Sequence, residues 1–487
     1  MHPLNVVRRA AAAGVVAAVL ALTSVAQAAT FTVNSTDDTT DGVCAASAGG
    51  CTLREAIESA VADAGSDTVA FDPAVFPPGA PASIVILAPL PVIADPAGTV
   101  VDGAEAGVVI RPPLLGGGMG ADDGLVFASA AGVALATATI ANLTIRDFVG
   151  SGVVVCGGGF PTCDQDVSAV VVRNVVALAN GKSGLRVAGH ALRNVDVSDS
   201  VFASNLEHGL SCMATQSLSG TRVQGCTARD NGMAGISLDG GADVLGALIG
   251  DAILSHNTAA GLAVVSTNLV SKVKMTNVVA RDNQANGVDL DAATVDSSML
   301  SKIVASRNAG SGVSLGGSGI SASNLKDVVA NVNGGPGIVL SAGGQVTGTS
   351  ITNAKASGNA QEGIVIGGDN GVSGSKISRA ILTGNLTDGL RLQGSKNVVQ
   401  KVRADGNHGD GIFLDAPGSH NKIESCATNA NDGNAGIEVG AGSILNVVQK
   451  NVSLANDGRD LLENNSNCDG SMWKKNVFQT HNAPCVH

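Results

Sequence analysis

Three carboxylate residues recur at similar spacing in the C-terminal third of the chain. Glu362, Asp388 and Asp410 each stand directly before a glycine, 26 and then 22 residues apart. If each step returned the chain to the same place one strand further on, neighbouring carboxyl groups would lie about 5 Å apart and the outer two about 10 Å apart. Those separations bracket the ones that retaining and inverting glycosidases use, and close carboxylates raise one another's pKa, as a general acid requires.

Four further residues on the same steps are candidates for substrate contacts. They are a cation, an imidazole, an aromatic ring and a carboxylate: Arg391, His408, Phe413 and Asp415. The simpler interpretation, which we favour, is that an acidic chain exposes its carboxylates in turns. Calcium held by the acidic column is a minor alternative. Apart from calcium, we predict no cofactor and no metal site.

A repeat must position these residues. A glycine followed by an alternating apolar pattern recurs at steps of 25 or 26 residues, with one step of 22. The glycines are Gly184, Gly209, Gly235, Gly261, Gly287, Gly312, Gly337, Gly363, Gly389, Gly411 and Gly436. Alternation with a period of two indicates strands rather than helices, and the Asn and Gly positions indicate turns that use left-handed backbone.

An asparagine stands four residues before all but the last of these glycines. The column comprises Asn180, Asn205, Asn231, Asn257, Asn283, Asn308, Asn333, Asn359, Asn385 and Asn407. Stacked asparagines can hydrogen-bond along the column and satisfy polar groups buried in the turns. The sequence therefore predicts an all-β, right-handed parallel β-helix of coils of about 25 residues with a structural asparagine ladder.

The N-terminal part of this solenoid is predicted to carry a short helix. Thr52 and Glu55 form a capping box, and apolar residues then fall on one face until Gly65. Such a cap would cover the open end of the first coil, which would otherwise pair with other chains.

Nine cysteines favour an exported, oxidised protein. Close spacing predicts the bridges Cys44–Cys51, Cys156–Cys163 and Cys468–Cys485. Cys212, Cys226 and Cys426 fall on inward positions of the repeat, where a buried thiol is the favoured role and a Cys212–Cys226 bridge the alternative.

The first residues have the pattern of a secretory signal peptide. Arg8 and Arg9 precede an apolar run that ends before Ala26-Gln27-Ala28, so cleavage is expected after Ala28. The net charge of the full chain is −12, and losing these two arginines makes the mature form −14. A negative net charge of this size disfavours binding to nucleic acid and to anionic lipid. No later segment of the sequence is long and apolar enough to span a bilayer.

Cys51-Thr52-Leu53-Arg54-Glu55-Ala56 resembles the Cys-Ser-Leu-Arg-Glu-Ala (CSLREA) module that heads many bacterial exported β-helix proteins, with Thr in place of Ser. Segments 90–96 and 102–103 are similar to the stretch that leads into their helix. The remainder resembles the pectin-lyase-like superfamily, whose members include polysaccharide lyases, hydrolases, epimerases, adhesins and maturation proteins. That resemblance implies a scaffold and leaves the activity open.

The predicted organisation has four parts: a signal peptide over 1–28, an N-terminal cap with the first coils over 29–110, β-helix repeats over 111–465, and a disulfide-stapled cap over 466–487. We expect a secreted or periplasmic protein with a structural or binding role toward extracellular polysaccharide or the cell surface. The alternatives are a polysaccharide lyase or glycoside hydrolase acting through the acidic column, and a periplasmic maturation factor. The sequence leaves the oligomeric state open.

Overall fold

The computed structural model describes residues 28–113 and 123–487. The predicted signal peptide, apart from its final Ala28, lies outside the described residues. Within them the chain forms 45 strands, one α-helix and one 3₁₀ turn, and every strand pairing is parallel. The prediction of a parallel β-helix is confirmed.

Successive coils stack in register. Leu185 pairs with Leu210, and Leu210 pairs with Ile236, so equivalent positions lie 25 and 26 residues apart in the chain. Each regular coil has a first strand after the repeat glycine, then a second and a third strand separated by tight turns. Residues whose side chains point inward on all three strands form one continuous apolar core along the solenoid.

The strand bounds follow this order. The N-terminal coils contain Thr30–Val33, Thr68–Phe71, Ala82–Val85, Val100–Asp102, Val108–Arg111, Leu125–Ala128, Ala138–Arg146, Val153–Cys156, Val167–Leu178 and Leu185–Ser198. The later first strands are Leu210–Ser219, Ile236–Asp239, Leu262–Val265, Val288–Asp296, Val313–Ser321, Ile338–Thr347, Ile364–Gly368, Leu390–Gln393, Ile412–Asp415, Ala435–Val439 and Arg459–Glu463, with short extensions at Asp243–Leu245, Leu269–Ser271 and Val372–Ser373.

The two shorter strands of each coil complete the walls. The second strands are Arg222–Gln224, Leu248–Gly250, Lys274–Thr276, Met299–Ser301, Asn324–Lys326, Ser350–Thr352, Lys376–Ser378, Val398–Gln400, Lys422–Glu424, Val447–Gln449 and Met472–Lys474. The third strands are Val201–Ala203, Thr227–Arg229, Ile253–Ser255, Val279–Arg281, Val304–Ser306, Lys355–Ser357, Ile381–Thr383, Arg403–Asp405, Ala427–Asn429 and Val452–Leu454.

The repeat glycine is required by close approach to the next coil. A Cβ atom on Gly337 would lie 2.7 Å from the Ala356 Cβ, 2.7 Å from the Gly363 carbonyl oxygen and 2.8 Å from the Asn359 side chain. The glycine, alanine and asparagine columns seen in the sequence are therefore one packing unit, in which each small residue leaves room for the asparagine of the neighbouring coil.

The asparagine side chains form a buried ladder. Asn333 donates from Nδ2 to the Asn359 Oδ1 at 3.0 Å and to the Ala305 carbonyl at 3.0 Å, and its Oδ1 accepts from the backbone and side-chain nitrogens of Asn308. The ladder continues beyond Asn407 to Asn431 and Asn456.

The left-handed residue of this turn is not the asparagine, contrary to the sequence interpretation. It is the residue before it: φ is 57° at Ser204, 57° at Asp282 and 59° at Val332. Asparagine is thus needed for its side-chain hydrogen bonds, while its neighbour takes the strained backbone conformation.

Helix α1 (Leu53–Ala62) packs its apolar face on the first coil. Thr52 and Glu55 form the capping box, and the helix ends at Ala62 with Asp63 as C-cap, before Gly65. Arg54 pairs with the buried Asp38 and donates to the carbonyls of Ala88 and Pro89 at 2.8 Å each. Arg54 and Glu55 therefore hold the start of the helix against the segments around it.

The C-terminal end of the chain, where a cap was predicted, packs on buried acids. Trp473 donates from Nε1 to Glu463 Oε2 at 3.0 Å, and Asp460 accepts from the backbone nitrogens of Gln479 and Thr480. The 3₁₀ turn Cys468–Gly470 carries the bridge to Cys485.

The remaining cysteines divide into bridged and free. Disulfides join Cys44 to Cys51 and Cys156 to Cys163, whereas the thiols at positions 212, 226 and 426 are free and buried. Bridges of this number are typical of proteins that fold outside the cytoplasm. Among residues 28–113 and 123–487, no helix is long and apolar enough to cross a membrane.

Candidate functional site

The C-terminal coils bring the sequence-predicted carboxylates together on one outward edge of the first strands. Asp388 and Asp410 lie in adjacent coils, and the backbone N–H of Asp410 donates to Asp388 Oδ1 at 2.8 Å. The Asp410 carboxyl group is 4% exposed and accepts from the backbone nitrogen of Ala435 at 2.7 Å. Glu362 lies one coil earlier, half-buried.

Glu438 joins this column from the following coil. It stands on the outward position of strand Ala435–Val439, yet it is only 6% exposed. Asn434 and Asn464 donate to its two carboxylate oxygens at 3.3 and 2.7 Å. The site thus contains a buried acid pair, Asp410 and Glu438, with Asp388 behind it.

Burial dominates the electrostatics of the pair. Burial and, after it, the contact with Glu438 together raise the pKa of Asp410 to about 8, because two carboxyl groups in contact cannot both ionise. Burial also raises the pKa of Asp388, with the Glu362 charge adding to the effect and the Asp410 N–H and Arg391 opposing it. The raised pKa favours the protonated form of Asp410 at neutral pH, and a carboxylic acid that holds its proton at that pH is what a general acid requires.

The predicted contact residues lie close by but are not all directed at the acids. Arg391 forms an ion pair with Asp415, Nη2 to Oδ2 at 2.6 Å, and its guanidinium carbon lies 5.7 Å from the centre of the Phe413 ring. Phe413 is half-buried and is the strand neighbour of both Arg391 and Glu438. His408 forms a separate, exposed pair with Asp432 at 2.7 Å.

An open groove runs beside the acid pair, over the last coils. Its walls are mainly charged and amide side chains, with Leu462 as the apolar contribution. The lining residues are Asp432, Gly433, Asn434, Glu438, Asp457, Gly458, Arg459, Leu462 and Asn464. Among the residues that the structure describes, no group of three or more His, Cys, Asp or Glu side chains is arranged to hold a metal ion.

Sequence reasoning missed part of this site. Asn431 stands five residues before Gly436 rather than four, so the ladder pattern broke off at Asn407, although the hydrogen bonds continue. Asn434 and Asn464 lie in turns with no repeat signature. Glu438 was visible as a charged outward residue, but its contact with Asp410 depends on how two coils stack.

Comparison with known proteins identifies the family. The model for the right-handed β-helix region matches residues 215–377 and 348–469, which together span just over half of the chain. The chain therefore belongs to the right-handed β-helix family. A search of curated proteins found no match to this sequence.

Several solved structures are similar to this chain. The periplasmic alginate epimerase AlgG matches with a TM-score of 0.33 and 11% identity, covering 70% of this chain and 78% of its own. The A-module of the mannuronan C-5 epimerase AlgE4 of Azotobacter vinelandii matches with a TM-score of 0.30 and 13% identity over 88% and 95% of the two chains. Tailspike protein 3 of bacteriophage CBA120 matches with a TM-score of 0.36 and 10% identity over 75% and 55%.

Proposed function

We propose that this is an exported β-helix protein that binds an extracellular polysaccharide along the outward surface of its C-terminal coils. The observation that carries the proposal is the open groove beside Phe413. Its exposed carboxylate, amide and guanidinium groups match the hydrogen-bonding needs of sugar hydroxyls. A few convergent polar groups around buried, shifted acids are the usual mark of a ligand site.

The neighbouring ring supports the same proposal. Phe413 offers an apolar face, and Arg391 covers part of the ring while being held by Asp415. An aromatic face with polar groups at its edge is a common contact surface for a sugar ring. The disulfides and the predicted signal peptide support a location outside the cytoplasm for this binding.

A glycan array followed by calorimetric titration of each hit tests the binding role. We expect Arg459→Ala and Asn464→Ala to weaken binding about tenfold each, by roughly 1.4 kcal/mol, since each removes a polar contact made to the ligand. Asn268→Ala is the matched control, because Asn268 is also an exposed amide that donates to a carboxylate, Asp243, but in a distant coil. Failure to bind any polysaccharide on the array would refute the proposal.

A second candidate function is cleavage of the bound polysaccharide. The burial of Asp410 against Glu438, with the raised pKa of Asp410 that results, is the specific observation that favours it, because a general acid must hold its proton at neutral pH. Reducing-end and unsaturated-product assays on every array hit test this function. If turnover is found, Asp410→Asn and Glu438→Gln should lower kcat by at least about a hundredfold.

Asp291→Asn serves as the control for catalysis. Asp291 is an exposed carboxylate within the first strand Val288–Asp296, in the position equivalent to Asp415 several coils away. Turnover that survives Asp410→Asn, Glu438→Gln and Asp388→Asn would exclude this column as the catalytic centre.

A further inference from the structure

A second depression lies on the outward side of the first strands, near the N-terminal end of the ladder. It occupies about 320 Å³ and spans the coils that begin at Gly184, Gly209 and Gly235. Arg186 and Ser211 are direct strand neighbours there, and His208 precedes the glycine of the middle coil. None of these residues belongs to the C-terminal site.

Two polar atoms at the floor of this pocket have no hydrogen-bond partner in the protein. Ser211 lines the pocket and is 1% exposed, and its Oγ is unpaired. The Nδ1 atom of His208 is likewise buried and unpaired. Leaving a buried donor unpaired costs about 1–3 kcal/mol, so the Ser211 hydroxyl requires a partner from outside the protein, either a water or a ligand.

The pocket also holds two cations that form no ion pair among the described residues, Lys182 and Arg186. Some other arginines of the solenoid are paired, such as Arg193 with Asp166 and Arg307 with Asp282. The acid in the pocket, Glu207, accepts from Ser183 Oγ at 3.4 Å. Burial lowers the pKa of His208 against the opposing effects of Glu207 and the Ala234 carbonyl, so the imidazole is neutral at pH 7.

The pocket therefore carries a net positive charge on a strongly acidic protein. We propose that it binds an oxyanion carried by a sugar, with Lys182 and Arg186 supplying the charge and Ser211 Oγ donating a hydrogen bond. A uronate carboxylate and a sulfate ester share this chemistry. Charge-assisted hydrogen bonds of this kind are about twice as strong as neutral ones. This inference goes beyond the proposed polysaccharide site and uses none of its residues. The two proposals can therefore be tested independently of each other.

Titration of the full mature chain with small sugars tests the proposal. The probes are methyl glucuronide, glucose 6-sulfate and the uncharged methyl glucoside, followed by calorimetry and by the ring resonances of His208. We expect one site per chain for at least one anionic sugar, with a shift of the His208 signals and no saturable binding of methyl glucoside. The stronger of the two anionic probes identifies which oxyanion the pocket takes.

Matched variants locate the binding. Ser211→Ala should weaken it about fivefold, which corresponds to the loss of one hydrogen bond, and Arg186→Gln should weaken it further and flatten its salt dependence. Ser237→Ala, at the equivalent position of the next coil, and Arg222→Gln, an exposed arginine on a second strand, should bind as the wild type does. Ser211→Ala should fold normally, because it removes an unpaired buried hydroxyl.

Two results would overturn the proposal. One is the absence of saturable binding for both anionic sugars in the wild type. The other is binding that Ser211→Ala and Arg186→Gln leave unchanged, or that methyl glucoside matches. Because these probes report on the His208 pocket, a negative result here leaves the array result for the C-terminal groove intact.

Discussion

Replacing Asn333 by alanine tests the ladder at the middle of the solenoid. The side chain makes four hydrogen bonds: two donated by Nδ2, to Ala305 and Asn359, and two accepted by Oδ1 from Asn308. At about 1 kcal/mol for each, Asn333→Ala should lower the free energy of unfolding by about 4 kcal/mol. The backbone adds no further penalty, because the left-handed residue of the turn is Val332.

Asn180→Ala is the internal control for that magnitude. Asn180 stands at the N-terminal end of the ladder, and its side chain makes two hydrogen bonds: it donates to Asn205 and accepts from Phe148. We expect a loss of about 2 kcal/mol, half that of Asn333→Ala.

Guanidinium unfolding followed by far-ultraviolet circular dichroism measures both losses, and the fluorescence of the single Trp473 shows whether the C-terminal cap unfolds together with the coils. Equal losses for the two variants, or a loss below about 0.5 kcal/mol for Asn333→Ala, as for ordinary surface changes, would refute the ladder argument.

Three further predictions concern charge, cap and thiols. The pKa of Asp410 is raised in the folded state, so folding favours its protonated form, and the free energy of unfolding of the wild type should fall as pH rises from about 4 to about 8. In urea unfolding, Asp410→Asn should flatten that pH dependence. Relative to the wild type, the variant should be most stable near pH 8. Arg54→Ala should lower the free energy of unfolding by about 3 kcal/mol, measured by calorimetry, because it removes the charged partner of the buried Asp38 side chain. Iodoacetamide should modify Cys212, Cys226 and Cys426 only after denaturation, as mass spectrometry would show. The first prediction is contradicted if Asp410→Asn leaves the pH profile of stability unchanged, and the second if Arg54→Ala leaves the melting temperature unchanged. Labelling of the three cysteines in the native chain would contradict the third.

The sequence determined the repeating part of the molecule. Glycine, alanine and asparagine recur at fixed intervals because each coil packs on an equivalent coil. The same packing unit is therefore repeated along the chain and is visible as a sequence repeat. The capping box of α1 was equally visible, since its residues lie three apart and act locally. The cysteine spacing carried comparable information, because the bridged pairs are close in sequence while the free thiols follow the inward period.

Only the tertiary structure decided the chemistry of the surface. Asp410 meets Glu438 across two coils, and the pKa of the aspartate is set by burial that no residue spacing reveals. Ser211 looks like any outward serine of the repeat, yet neighbouring side chains enclose it without giving it a partner. Periodicity specifies which residues share a column, but contacts between non-identical side chains on adjacent coils depend on rotamers and turn lengths, and those are fixed only when the coils are stacked.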